Sequence, residues 1–130
     1  LGDVYKRQIY GCVKNHVPFV LTGSIRDDGP MPEVIGDAYK GQSAMRDMVR
    51  DATCVICLAT MLHTIATGNM TPSFRVMKDG TIRPVYLYTV DADEFVVNKL
   101  MDRGSLSATT IVTNVQDFIT IIAKGLGVMK

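Results

Sequence analysis

The side chains most able to do chemistry follow the ends of short apolar runs. Residues 18–22 close in Gly23 and Ser24 and then present Arg26, Asp27 and Asp28 before Gly29-Pro30. An arginine can grip a carboxylate or phosphate through two parallel hydrogen bonds. Adjacent carboxylates repel, which favours one of them taking up a proton and acting in acid–base steps. Asp27 and Asp28 are therefore candidate catalytic groups or holders of a substrate ammonium, and Arg26 a candidate substrate clamp. The plainer alternative is a solvated Asp-Gly turn.

Three further runs end in the same manner. Residues 53–59 lead into Thr60-Met61-Leu62-His63, residues 81–90 into Asp91, and residues 108–113 end at Thr113 before Asn114. His63 could move a proton or bond a carboxamide, or be a satisfied structural histidine. Thr60, with Met61 behind it, could bond phosphate or cap a helix. Asp91 ends a Val/Tyr/Leu run and opens a helical stretch, the place from which an acid binds a ribose 2′-hydroxyl in dinucleotide folds. Asn69, after Gly68, could cap or touch ligand. A G-x-G-x-x-G fingerprint is missing, so a phosphate loop lies elsewhere or the dinucleotide is held differently. Cys54 and Cys57 have the spacing of half a zinc site, but residues three apart on a strand face opposite ways. They are expected to be core cysteines, and no metal is expected.

The elements that must position these groups alternate in period. Strands are expected over 18–22, 53–59, 81–90 and 108–113, the second buried on both faces because it is continuously apolar. Helices are expected over 32–51, with a break possible near Gly36 or Gly41, over 60–66 with Gly68-Asn69 as its stop, over 94–103, and over 114–124. Asp93 is the expected cap of the third, with Gly104 beyond its end; Asn114 caps the fourth, with Asp117 in its first turn. Phe74-Arg75-Val76-Met77, the Lys78-Asp79-Gly80 turn and the following run predict a hairpin feeding the third strand, with regular pairing only after Pro84. This order predicts an α/β fold, a Rossmann-like, doubly wound, mainly parallel sheet. All the strand ends would then open on one edge, where helix N-termini suit phosphate and ribose.

Bulk properties narrow the classes. The chain has 130 residues, 47% of them hydrophobic and 21% charged, with a net charge of +1. No basic face argues for nucleic acid, no run is long enough for a membrane span, and three cysteines in apolar surroundings suit a reducing cytoplasm. Residues 3–8, Asp-Val-Tyr-Lys-Arg-Gln, match the in-frame translation of a transposase sequencing adapter. Residues 1–8 are therefore expected to be a scar, and residues 9–130 the fragment of a longer protein.

From Ile9 to the last helix the chain resembles the conserved-region family of lysine-oxoglutarate reductase/saccharopine dehydrogenase (LOR/SDH) proteins. That family includes archaeal ornithine cyclodeaminases and the C-terminal half of cyanobacterial arginine dihydrolase/ornithine cyclodeaminases. The resemblance rests on Tyr10-Gly11-Cys12-Val13-Lys14, Gly23-Ser24-Ile25-Arg26-Asp27-Asp28-Gly29-Pro30, Ala59-Thr60-Met61-Leu62-His63, Gly68-Asn69-Met70, Val90-Asp91 and Ile111-Val112-Thr113. Two departures stand out. Ala92-Asp93-Glu94 replaces the family's usual residue followed by Asn-Pro, and residues 74–84 read as an insertion. Both are expected to touch the adenosine side.

The resemblance implies bound, recycled NAD and conversion of L-ornithine to L-proline and ammonia. Gly23, Ser24, Thr60, Met61, Asn69, Asp91 and Thr113 would contact the cofactor, Arg26 the substrate carboxylate, and Asp27, Asp28 and His63 would serve catalysis. Asp91 and Asp93 would repel a 2′-phosphate. An amino-acid dehydrogenase of the saccharopine type, a non-catalytic nucleotide-binding domain and a non-functional fragment are the other readings. A small-molecule amino-acid substrate and a homo-oligomer are the expected partners, the latter because a truncated sheet exposes an edge.

Overall fold

The computed structural model describes residues 2–23, 34–101 and 107–130. The chain divides into two compact units, Leu1–Met45 and Arg46–Lys130. Ten elements follow in order: α1 (Gly2–Lys14), α2 (Ala38–Arg50), β1 (Cys54–Leu58), α3 (Met61–Met70), β2 (Phe74–Val76), β3 (Ile82–Pro84), β4 (Tyr86–Asp91), α4 (Glu94–Met101), β5 (Ala108–Val112) and α5 (Val115–Gly125).

In the first unit, α1 ends with His16 in the left-handed region (φ 54°), its N–H donating to Val13 O at 3.3 Å, while Val17 N–H donates to Cys12 O at 2.9 Å. This pair of bonds is a Schellman stop built on histidine where glycine is usual. The strand expected over 18–22 does not form. Its pairing among the described residues is one parallel bridge between Thr22 and Ile35, made by Ile35 N–H to Leu21 O and Gly23 N–H to Ile35 O. The helix expected from residue 32 begins only at Ala38, because Asp37 caps it, accepting from Lys40 N–H at 3.0 Å. Val34, Ile35 and Gly36 therefore lie outside it. Gly41 is buried there for a packing reason, since a Cβ at that position would lie 3.1 Å from Thr22 Cγ2.

The second unit holds a parallel sheet of order β1-β4-β5, with β2 and β3 as a separate antiparallel hairpin. Two strands of one direction need a crossover, and helices α3 and α4 lie in the two crossovers. Helix α4 packs on β4 and β5, α5 on β4, and α3 on α4. The apolar centre is Val85, Leu87 and Val90, with Cys57 beside them. This is the expected α/β, Rossmann-like architecture.

Four expectations need correction. Strand β1 is not buried on both faces: as an edge strand its one sheet neighbour is β4, and Ile56 remains 49% exposed. Cys54 is accordingly exposed and only Cys57 is buried, so the core-cysteine reading holds for one of the two. Helix α3 runs through Gly68-Asn69 to Met70, because hydroxyls support its last turns: Thr67 donates to His63 O and Thr71 to Thr67 O, each at 2.7 Å. Gly68 is buried within it, with no stop there. The hairpin, finally, lies at the amino end of β4, where Val85 N–H reaches Ser73 O at 3.0 Å, and so away from Asp91 at the other end.

The hairpin itself forms as the Asp-Gly signal predicts. Gly80 takes φ 84°, Met77 N–H donates to Thr81 O at 2.8 Å, and Asp79 Oδ1 accepts from Thr81 N–H at 3.0 Å. Helix α4 begins after Asp93 as expected, and Gly104 lies outside the described residues.

Candidate functional site at the carboxyl edge of the sheet

Register brings the strand ends level. Leu58 pairs with Val90 and Asp91 with Val112. The chain stays bonded one residue further, Ala59 N–H to Val90 O at 2.9 Å and Thr113 N–H to Asp91 O at 3.0 Å. Thr60 and His63, Asp91 and Asp93, and Thr113 and Asn114 thus share one edge, as the sequence predicts for a parallel sheet.

The turn from β1 into α3 is the sharpest part of that edge. Ala59 sits at φ 54°, a region that favours glycine, and turns the chain so that Thr60 enters the N-cap position. Thr60 does not cap, however. Its Oγ1 lies 2.9 Å from His63 Nδ1, and its carbonyl accepts the Thr64 hydroxyl. This bond ties one ring nitrogen of the exposed His63 to the protein. The first-turn N–H groups of α3 carry no side-chain cap and no acid.

The other two helix starts differ. Asp91, half-buried, accepts from Asp93 N–H through Oδ1 at 2.9 Å, and Asp93 accepts from Phe95 N–H at 2.9 Å. Asn114 accepts from Gln116 N–H at 2.8 Å, with Asp117 in the same turn. Of the three starts, an anion is best met at α3 and a hydroxyl-bearing sugar at Asp91.

Among the other predicted site residues, Met61 opens α3 and Thr113 follows β5, both at this edge. Asn69 is in the last turn of α3, about 12 Å along the axis from Met61 at 1.5 Å per residue. It is not brought to the strand ends. Gly23 belongs to the first unit, bonded to Ile35 O at 3.0 Å. Ser24, Arg26, Asp27 and Asp28 lie outside the described residues. Sequence reasoning missed the Thr60–His63 pair, although a hydroxyl three residues ahead of a polar side chain at a helix start is a capping-box spacing. It also missed Ala59, where no glycine announces the turn.

Burial pushes the Cys57 thiol above its ordinary range, partly offset by a hydrogen bond with Thr64. No described helix is long and apolar enough to cross a membrane.

Comparison with known proteins bears on this edge. The chain is 51% identical over 114 residues to the ornithine cyclodeaminase of Methanothermobacter thermautotrophicus, covering 88% of the chain and 25% of the relative. It spans, therefore, about a quarter of the length of that curated relative. A LOR/SDH protein from Methanococcus maripaludis superposes with a TM-score of 0.77 at 44% identity, over 91% of this chain and 32% of that one. AgrE in ternary complex with ornithine and NAD+ superposes with a TM-score of 0.75 at 40% identity, over 92% of this chain and 16% of that one. The family model for the Rossmann-fold C-terminal part of ArgZ-like arginine dihydrolases matches residues 2–122, and the chain belongs to that family.

Proposed function

We propose that this chain is the NAD-binding part of an ornithine cyclodeaminase, converting L-ornithine to L-proline and ammonia within a longer polypeptide. The observation that carries the reading is the β1–α3–β4 edge, an uncapped helix start on one strand and a half-buried acid ending its neighbour. The relative whose structure contains ornithine and NAD+ supports the choice of ligands.

The residues fit a dinucleotide. The first-turn N–H groups of α3 receive the pyrophosphate, a task that glycine-rich turns perform in other dinucleotide folds. Ala59 supplies the bend such a turn needs. Asp91 Oδ1 is held by Asp93 N–H, and its second oxygen accepts from the adenosine ribose hydroxyls. The carboxylates of Asp91, Asp93 and Glu94 crowd this end of β4 and disfavour a 2′-phosphate. Gly23, Ser24, Thr60, Met61 and Thr113 are further cofactor contacts in this reading.

The bound nicotinamide supplies a place for the substrate's α-hydride to go and to return from. Arg26 holds the α-carboxylate, and Asp27 or Asp28 manages the protons of the amines. His63, oriented through Nδ1 by Thr60, offers its other nitrogen to the reacting region. The δ-amine closes the ring, and the α-nitrogen leaves as ammonia.

NAD+ titration of Asp91→Asn and Asp91→Ala tests the edge. Asparagine keeps the acceptor for Asp93 N–H while removing the charge, so a charge-assisted contact worth about 1.5–3 kcal/mol is lost without unwinding α4. Affinity is expected to fall at least about tenfold in both variants. Unchanged binding in Asp91→Ala would remove Asp91 from the site. With the full-length gene product, L-ornithine and trace NAD+ should yield ammonia and proline in equal amounts without accumulating NADH. Accumulating NADH would instead identify an amino-acid dehydrogenase.

A further inference from the structure

The β2–β3 hairpin gathers cations that the proposed chemistry does not use. Its register sets Arg75 directly opposite Arg83. Like charges across a strand pair repel, so a sheet that keeps such a pair needs something to neutralise it. One arginine is answered from within the chain: Arg75 donates to the Asp51 carbonyl and lies 3.5 Å from its carboxylate. Arg83 and Lys78 make no ion pair among the described residues. Asp79, the acid beside them, turns its carboxylate to Thr81 N–H at 3.0 Å, which holds its carboxyl below the usual range and keeps it charged.

These groups border an open depression on the surface. Arg75, Val76, Met77, Lys78, Asp79 and Arg83 line a cavity of about 410 Å³. Arg83 also borders a neighbouring cavity of about 450 Å³ with Thr53, Cys54, Pro84 and Tyr86. Volumes of that size suit a small ligand. The second of these lies at the amino ends of β1 and β4, and the first on the hairpin that precedes β4. Six residues of β4 separate the cavity at Tyr86 from the carboxyl edge, roughly 20 Å at 3.3 Å per residue, and the hairpin joins β4 at that same amino end.

We propose that the hairpin is a second ligand site, remote from the dinucleotide edge, for a compact dianion bridging Arg83 and Lys78. A phosphate group and a small dicarboxylate share that chemistry: each presents paired oxygens to an arginine fork and a second contact to an ammonium. Such an anion relieves the Arg75–Arg83 repulsion, so binding also tightens the hairpin.

Titration calorimetry tests the site on the protein as it stands. Inorganic phosphate and succinate are titrated separately at an ionic strength held constant with sodium chloride. Saturable one-to-one binding of at least one of them is expected, and the tighter of the two names the ligand class. Arg83→Gln and Lys78→Gln should each weaken it at least about tenfold, the loss of one charge-assisted contact. Lys124→Gln, a charge removed from α5, should leave it unchanged. Both hairpin positions are exposed, so circular dichroism should report an intact fold in the variants. Non-saturating heats, or equal weakening by Lys124→Gln, would overturn the proposal. Asp91→Asn should leave anion binding as it is, so failure of the cofactor reading and failure of this one are separable.

Discussion

Replacing Leu87 by alanine should take away a large share of the stability of the second unit. Leu87 is 1% exposed at the middle of the sheet, paired with Val55 on one side and Ala108 on the other. The substitution removes three carbon groups, about 2.4 kcal/mol of transfer energy at roughly 0.8 kcal/mol each. The cavity left behind adds to this, and fully buried leucines reach about 3–5 kcal/mol in all. Relief by collapse is limited, since Val85 just ahead of the strand and Val90 on it are already buried. Urea unfolding followed by circular dichroism measures the loss. With a slope of about 2 kcal/mol per molar, the midpoint should fall by about 1.5–2.5 M. Ile121→Ala on α5, at a position 68% exposed, is the matched control and should cost under about 0.5 kcal/mol. A Leu87→Ala loss below about 1 kcal/mol at unchanged slope, or an equal loss from Ile121→Ala, would refute the assignment of the core to β4.

Helix ends give sharper local tests. Asn114→Ala removes the 2.8 Å cap of α5 and should cost about 1 kcal/mol in the same urea assay, with Asn114→Asp close to neutral. Helix α5 ends in a second Schellman stop, Gly127 N–H donating to Lys124 O and Val128 N–H to Ala123 O, each at 3.0 Å, and the two stops should respond with opposite signs. Gly127→Ala forces a side chain into φ 73° and should destabilise by about 1 kcal/mol. His16→Gly relieves the same strain in α1, for a net gain of about 0.5 kcal/mol after the entropy of glycine is counted, read as a rise in melting temperature. The Cys57 thiol should alkylate far more slowly than exposed Cys54 in peptide mapping. Its folded pKa is raised, so its stabilising effect is complete below the ordinary thiol value of 9.0 and is lost as pH rises beyond it. Cys57→Ala should flatten that alkaline decline in stability.

Features written in neighbouring residues were legible in advance. Asp93 and Asn114 announce helix starts by type and position, and Lys78-Asp79-Gly80 announces a hairpin. The alternation of strand and helix was enough to predict a parallel sheet whose ends share an edge. What failed depends on distant partners. The apolar continuity of residues 53–59 suggests a central strand, yet burial is decided by how many neighbours stand beside it, and β1 has one in its sheet. Residues 18–22 have strand composition, but a strand needs a ladder, and Ile35 supplies a single bridge. Gly36 and Gly68 look alike on paper. One lies just ahead of the Asp37 cap, while the other is buried within a helix that threonine hydroxyls carry past it. At the site, Thr60 was readable as a cap candidate, but its diversion to His63 follows from a turn at Ala59 that no glycine marks.

The placement of the hairpin also shapes how the chain can find its sheet. Cys54 and its partner Tyr86 are 32 positions apart along the chain, against 21 for Leu87 and Ala108. Longer separations carry more closure entropy and slow assembly, so β4 and β5 are set to meet before β1 joins them. Residues within the longer crossover ordinarily widen that gap. Residues 74–84 instead zip upon themselves around Gly80, and Phe74 and Pro84 end side by side. That stretch is thereby taken out of the search, and β1 docks across a distance shorter than the residue numbers suggest.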